Sequence, residues 1–374
     1  MGTEATIDID SLLLPVSDAK PAGDDLRADS SPNSIYYRLK DARSGARAAE
    51  RRAESEGGTP GVLPEWQTIL SVAPKALVEK SKDLEVVAWY VEGLVRGSGF
   101  AGLRDGLKLA RGLVEKYWDG FFSLADEEGL TTRLAPLAGL NGQGNEGTLI
   151  QPLRLTPITQ AAGDGSALAL YHYDQARALA NLADANQRAR REAAGEVTME
   201  RFMGRVNESG GEFYINLLED IDAALSEASL LGTTLHERAG RDAPSTLDIT
   251  RVLTTIRDAV ANFSADLVAR AQAARAAAAQ RAGVAGTDGA SAGASAAGGI
   301  GGPVRGREEA LRTLQQVAEY FRTHEPHSPI ATSLDELVRR ARMPFVELLA
   351  ELLPDPSALR TVLTSAGIKP PPQQ

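Results

Sequence analysis

Hydrophobic side chains near the C-terminal end recur at helical spacing. From Arg307 to Thr323, apolar residues return every three or four positions, while charged and amide side chains take the opposite side. This pattern predicts an amphipathic helix that ends near Thr323, because Pro326 cannot donate a backbone hydrogen bond to a continuing helix. Pro329 and Pro344 suit the first turns of two further helices. The C-terminal end is therefore predicted to fold as three short helices that pack on one another.

A domain of this size, residues 303–374, gains stability from self-association. It would bury only roughly 60% of its unfolded surface, so on its own it is marginal. It also carries no net charge, with nine Lys and Arg against nine Asp and Glu, so like domains do not repel one another. We therefore predict a small helical C-terminal oligomerisation domain. Its candidate contact residues lie on the apolar side of the first helix and at the proline corners: Leu311, Leu314, Val317, Phe321, Pro326, His327, Pro329, Pro344 and Phe345.

The middle of the chain, residues 191–282, contains two longer apolar stripes. Between 212 and 238, and again between 249 and 267, apolar residues alternate four- and three-residue steps, the spacing of left-handed helix packing. Gly240 and Pro244 supply a turn between them, so an antiparallel helical hairpin is predicted. Each helix has one apolar stripe, so the pair must pack on a third helix, either one near 197–206 or another copy. Residues 283–302 contain little beyond Gly, Ala and Ser and are predicted to be a flexible linker.

Residues 1–190 are predicted to be a mainly helical N-terminal domain. Helical stripes cover 35–56, 66–78, 84–95 and 103–117, and a further helix is predicted from Asp174 to Glu192. Residues 149–159 and 168–173 alternate partially, which favours either two short strands in one small hairpin or extended coil. The predicted fold class is therefore mainly α, a multi-domain helical protein built from helical hairpins.

Three groups of residues in this domain have a structural and a functional interpretation. Gly99, Gly102 and Gly106 lack the end of a phosphate-binding loop and indicate helix entry and close helix packing. Arginines at 43, 47, 51 and 52 are interleaved with glutamates, which favours a solvated helix face over an anion-binding stripe. The aromatic residues at 117, 118, 121 and 122 end an apolar helix and are more typical of a core than of a recognition surface.

Composition limits the classes of function. The net charge of −10 and the absence of a basic patch argue against nucleic-acid binding. No basic signal region and no apolar stretch of about 18 residues occurs, so we expect neither export by such a signal nor direct membrane insertion. The chain has no cysteine, which excludes disulfides and thiolate metal sites. A cytoplasmic protein is the simplest interpretation.

Candidate chemistry is confined to one short stretch, His324, Glu325 and His327. Two histidines with a carboxylate between them could bind a metal on a helix, but Pro326 interrupts the helix and no third ligand is evident. The alternative is a corner that sets the angle between two helices. Because no nucleophile elbow, zincin motif or dinucleotide fingerprint occurs, the sequence favours a non-enzyme without a cofactor.

Two regions resemble a known family. The stretch with Lys82-Asp83-Leu84 and Tyr117-Trp118-Asp119-Gly120 resembles an ImpA-type N-terminal domain, and Glu325-Pro326-His327-Ser328-Pro329 resembles the C-terminal domain of TssA proteins of bacterial type VI secretion systems. The resemblance implies a structural component whose C-terminal domain forms a high-order ring. It further implies baseplate, tail tube and sheath proteins as partners, and a location at the inner face of the cell envelope. The short C-terminal end is similar to the shorter, baseplate-linked form.

One alternative function remains open at this point. A helical-repeat adaptor would bind peptides in grooves between the N-terminal hairpins, and it would remain a monomer or small oligomer. A ring component would instead assemble through residues 303–374 with its other domains projecting outward. The size of the particle in solution separates these two functions.

Overall fold

The computed structural model describes residues 2–55, 63–122, 129–163, 165–285, 307–324 and 329–343, together with 347, 348 and 351. The chain divides into two compact units, Met1–Thr287 and Asp288–Gln374. Within the described ranges the secondary structure is helical throughout, with isolated β-bridges and no strand. The predicted mainly-α fold class is therefore confirmed.

The first unit contains ten α-helices among its described residues. They are α1 (Ile9–Leu12), α2 (Ile35–Ser55), α3 (Pro64–Glu79), α4 (Leu84–Tyr117), α5 (Leu130–Asn141), α6 (Ile150–Leu155), α7 (Leu170–Ala180), α8 (Ala185–Ala193), α9 (Met199–Ala239) and α10 (Leu247–Ala285). Two helices are described in the second unit, α11 (Arg307–His324) and α12 (Ile330–Arg342).

Helix α4 lies at the centre of the first unit, in contact with α3, α5 and α9. It begins at Leu84 and is capped by Asp83, whose carboxylate accepts hydrogen bonds from the backbone N–H groups of Glu85 and Val86. The helix breaks at Gly99, where φ is +58° and ψ is −135°, a conformation that side chains other than glycine rarely adopt. The two predicted helices on either side of the glycines are thus confirmed, joined end to end.

Close packing follows the break. A Cβ atom at Gly102 would lie 2.2 Å from the carbonyl oxygen of Leu94, and one at Gly106 would lie 3.0 Å from Cγ2 of Val91. These glycines therefore let one half of α4 approach the other, and the predicted packing role is confirmed.

The predicted antiparallel hairpin of the middle region is also confirmed. Helices α9 and α10 pack along one another through buried residues that include Ile221, Leu231, Leu253 and Ile256. The segment near 197–206, predicted as a third helix, forms the first part of α9 itself, which breaks at Gly210. The hairpin packs instead on α4, and all these helices share one hydrophobic core. The predicted domain boundary at residue 190 therefore divides segments that share a core, and it stays a prediction about folding units.

Two local predictions need correction. Residues 149–159 and 168–173 are predicted as two short strands or extended coil, but Ile150–Leu155 forms α6 and Leu170 begins α7. Outside these helices the two segments do meet as extended chain, at one antiparallel bridge between Pro157 and Ala169. The buried side chains in this region, Leu149, Ile150 and Leu153, follow helical spacing, which outweighs the partial alternation.

The helix predicted over 174–192 is divided. Helix α7 ends at Ala180, and the carboxylate of Asp184 accepts hydrogen bonds from the backbone N–H groups of Asn186 and Gln187 to start α8. The sequence carried this capping signal, but the continuous polar pattern around it obscured the break.

The second unit contains a helical hairpin. Helices α11 and α12 pack through Leu311, Ala318, Ala331 and Val338, which are buried. Arg322 of α11 forms an ion pair with Asp335 of α12. The predicted third helix, which would begin at Pro344, lies largely outside the described residues.

Candidate functional site

The predicted oligomerisation residues fall into four groups. Leu311 is buried between α11 and α12, Leu314, Val317 and Phe321 are half-buried, and Pro329 is exposed. Four others, Pro326, His327, Pro344 and Phe345, lie outside the described residues. The predicted residues of α11 thus lie on one apolar side of the helix, and their role in oligomerisation stays a prediction.

Large apolar side chains remain on the surface of the same hairpin. Tyr320 of α11 is 55% exposed, and Leu337 and Ile330 of α12 are 59% and 41% exposed. Sequence periodicity did not single out these residues, because it assigns the buried stripe of a helix and not the apolar residues beside it.

In the first unit the structure reveals a buried ion-pair network that the sequence interpretation missed. Glu92 of α4 is 1% exposed and accepts hydrogen bonds from Arg43 Nη2 at 2.7 Å and from Thr148 Oγ1 at 2.7 Å. Arg47 Nη1 lies 3.6 Å from the other carboxylate oxygen. The prediction of a solvated arginine face is therefore wrong for Arg43 and Arg47, since both point from α2 towards a buried carboxylate of α4.

A second pair lies beside the first. Arg96 donates to the carboxylate of Glu50 from Nε at 2.5 Å and from Nη2 at 2.8 Å, and Trp66 Nε1 donates to Glu50 at 2.7 Å. The guanidinium of Arg96 stacks over the indole of Trp66, 4.0 Å from the ring centroid. The two ion pairs connect α2 with α4, and the hydrogen bond from Trp66 adds α3. Separating these helices would leave a charge buried without a partner.

These pairs form one wall of a cavity of about 1100 Å³. Helices α2, α4, α6, α7 and α9 line it, together with segments that include 165–168 and 194–197. Its guanidinium groups are those of Arg47, Arg51, Arg96 and Arg201. Burial lowers the pKa of Arg47 from its ordinary value, which reflects the cost of holding this cation with only part of a counter-charge.

A histidine also faces this cavity. Nδ1 of His172 accepts a hydrogen bond from the backbone N–H of Ala169, so the neutral ring carries its proton on Nε2. Burial lowers the pKa of His172 below its ordinary value. The ring is therefore a neutral hydrogen-bonding group at pH 7, whereas His236, the other histidine outside the C-terminal stretch, is exposed.

A smaller cavity of about 550 Å³ adjoins the first, and the two share Val95, Arg96, Thr156 and Pro157. The break at Gly99 lies in its wall, and Phe100, Phe213 and Leu217 supply apolar surface. The two cavities thus meet where the second half of α4 begins.

The N-terminal segment borders the smaller cavity. Arg104 of α4 donates to the carbonyl oxygens of Thr3 at 3.0 Å and Glu4 at 3.1 Å, and to Asp220 of α9 at 2.7 Å. Thr3 Oγ1 donates to the same carboxylate at 2.7 Å. Hydrogen bonding to the neighbouring Asp105 is the main cause that raises the pKa of Arg104. We call this group, Thr3, Glu4, Arg104 and Asp220, the N-terminal clip.

The described residues hold no group of three His, Asp or Glu side chains that could bind a metal ion. The candidate stretch of His324, Glu325 and His327 lies outside the described side chains. None of the helices in the described ranges is long and apolar enough to cross a membrane.

Comparison with known proteins agrees with the resemblance seen in the sequence. Residues 13–142 match the family model for ImpA, N-terminal, type VI secretion system. The type VI secretion system component TssA1 of Pseudomonas aeruginosa is 27% identical over 359 residues, covering 93% of this chain and 96% of that protein. The N-terminal domain of a Burkholderia cenocepacia TssA, including its conserved ImpA_N region, matches with a TM-score of 0.58 and 25% identity, over 71% of this chain and 98% of that one. The resemblance predicted from the sequence is therefore confirmed: residues 13–142 match the ImpA N-terminal model, and most of the chain is similar to a TssA component of a type VI secretion system.

Proposed function

We propose that this protein is a structural, non-enzymatic component whose C-terminal unit assembles copies of the chain into a high-order ring. The ring helps to recruit the baseplate and primes the assembly of the tail tube and sheath. It acts in the cytoplasm, at the inner face of the cell envelope when assembled with the baseplate. The similarity to TssA1 along 93% of the chain supports this assignment.

The observation that carries the proposal is the surface of the α11–α12 hairpin. Tyr320, Ile330 and Leu337 expose large apolar side chains within one short pair of helices. Single exposed apolar residues are ordinary in monomers, but three on one small hairpin favour burial against other copies. The proposed contacts also include the half-buried Leu314, Val317 and Phe321 on the apolar side of α11.

The sharpest test places a charge at the exposed position of α12. In Leu337→Glu the new carboxylate replaces an apolar side chain that is 59% exposed, so the hairpin should keep its fold while a subunit contact is lost. Thr332→Glu adds the same charge at an exposed polar position of the same helix and is the matched control. Light scattering should show a smaller particle for Leu337→Glu only. A full-sized Leu337→Glu particle would refute the part of this face in assembly.

A second pair of variants tests the function in cells. Leu314→Ala combined with Phe321→Ala removes the apolar packing of two half-buried side chains and should abolish both the particle and sheath formation. His327→Asn keeps size and polarity but removes metal-binding and acid-base capacity, so it should leave both intact. Fluorescent sheath assembly in a strain complemented with each variant is the measurement. An assembled but inactive His327→Asn protein would count against the structural role and favour a polar site.

A further inference from the structure

We propose that the larger cavity of the Met1–Thr287 unit is a docking site for a short acidic segment of a partner protein. Arg47, Arg51 and Arg201 supply the positive charge of this site, and Tyr171 supplies an apolar rim. The proposal concerns only the first unit and does not depend on assembly of the second.

The cavity wall carries excess positive charge, although the chain as a whole is acidic. Glu92 faces two guanidinium groups, those of Arg43 and Arg47, so one positive charge is left uncompensated. Arg43 makes the short contact at 2.7 Å, whereas Arg47 Nη1 is buried and finds no hydrogen-bond acceptor among the described atoms. A buried donor without an acceptor costs free energy that a ligand carboxylate can recover.

Two further arginines extend this charge to the surface. Arg51 of α2 and Arg201 of α9 line the cavity, are exposed, and form no ion pair with a described carboxylate. Of the carboxylates in the wall, Glu50 is paired with Arg96 and Glu196 is paired with Arg191. Only Glu146 is left to oppose the three arginines among the described residues. In a chain of net charge −10 such a surplus selects an acidic ligand.

The size and the walls of the cavity favour a protein segment over a small anion. Its volume of about 1100 Å³ lies at or above the upper end of the roughly 300–1,000 Å³ that small-molecule sites occupy. Apolar side chains, those of Pro152, Leu155 and Pro157, form part of the wall, and the ring of Tyr171 is 43% exposed at its edge. Aromatic rings and guanidinium groups at one site are typical anchors of protein recognition. A segment with one apolar and several acidic side chains can contact both the apolar wall and the arginines, whereas a small anion can contact only the arginines.

The test begins with an unbiased choice of ligand. The full chain is immobilised and panned with a displayed library of random twelve-residue peptides, and the enriched peptides are synthesised with a fluorescent label for anisotropy measurements. We expect enrichment of Asp and Glu together with an aromatic or aliphatic residue. Binding should weaken as salt is raised from 0.05 to 0.5 M, because ions screen the exposed arginines.

Variants locate the binding site. Arg51→Gln combined with Arg201→Gln changes two exposed side chains and leaves the buried network intact, and it should weaken binding by about tenfold. Arg47→Gln removes a partly buried donor and should also cost about tenfold or more. The matched control is Arg52→Gln, an exposed arginine of the same helix that does not line the cavity, and its affinity should stay within about twofold of the wild type.

Three results would overturn the proposal. Enriched peptides could lack acidic residues, or acidic peptides could bind the Arg51/Arg201 double variant as tightly as the wild type. Citrate, used as a small carboxylate competitor, could bind as tightly as the peptides and displace them, which would define a small-anion site. Loss of the far-ultraviolet circular dichroism signal in Arg47→Gln would leave the exposed double variant as the deciding measurement.

Discussion

Replacing Glu92 by Gln tests the buried network directly. The change keeps the size of the side chain and its hydrogen bond from Thr148, but it removes the only described carboxylate opposite Arg43 and Arg47. Breaking a buried ion pair costs about 3–5 kcal/mol because the remaining charge stays desolvated. The two arginine side chains are 28% and 27% exposed, so water screens part of this cost, and we expect roughly 2–4 kcal/mol.

Tryptophan fluorescence measures the unfolding of the first unit separately from that of the second unit. All three tryptophans of the chain, Trp66, Trp89 and Trp118, lie in the Met1–Thr287 unit, so fluorescence of the full chain reports on that unit alone. With a dependence on urea of about 3 kcal/mol per M, the midpoint of unfolding should fall by about 1 M. The control is Glu115→Gln, which breaks an exposed pair with Arg111 on the same helix and should cost under about 1 kcal/mol. Equal midpoint shifts for the two variants would refute the stabilising role of the network.

Three further predictions address the backbone, a buried cation and the domain division. Gly99→Ala forces a positive φ on alanine and should cost about 1–3 kcal/mol of unfolding free energy, whereas Gly139→Ala, inside α5 with free space around it, should be neutral or stabilising in the same urea titration. Burial lowers the pKa of Lys82 to about 8. Between pH 8 and 10.5 the unfolded chain therefore binds more protons than the folded chain, so the unfolding free energy of the wild type should rise with pH relative to that of Lys82→Met. Parallel pH profiles for the two proteins would contradict this. Residues 1–282 and 303–374, expressed separately, should both fold, and a loss of helicity in either fragment by circular dichroism would count against two independent units.

The parts of the fold that follow from local pattern could be predicted from the sequence. The alternating apolar steps of α9 and α10 gave a hairpin because each helix has a single stripe to bury. The glycines at 99, 102 and 106 indicated the break in α4 and the close approach behind it, since only glycine meets both demands. The boundaries of α7 and α8 were missed because a polar, arginine-rich stretch looks the same in one helix as in two.

The candidate site could not be predicted, because its partners lie far apart along the chain. Arg43 and Glu92 belong to different helices, and Thr148 belongs to a third segment, so no window of sequence contains the network. The interleaving of arginines and glutamates on α2 favoured a solvated helix face. Tertiary packing instead turns Arg43 and Arg47 inwards to a carboxylate of α4. An unusual acidic residue amid the apolar run Val91 to Val95 was the one available signal.

The N-terminal clip bears on how this protein can be recombined with its relatives. Arg104 lies in the stretch that matches the ImpA N-terminal model, yet its guanidinium donates both to the carbonyl oxygen of Thr3 and to Asp220 of α9, far beyond residue 142. A chimera that exchanges residues 13–142 alone would cut through this junction and leave both the arginine and the aspartate facing foreign surfaces. Grafts of the matched region should therefore transfer α9 and the first few residues along with it. In this chain the family match ends at residue 142, but the contacts that hold the matched region in place extend to Asp220.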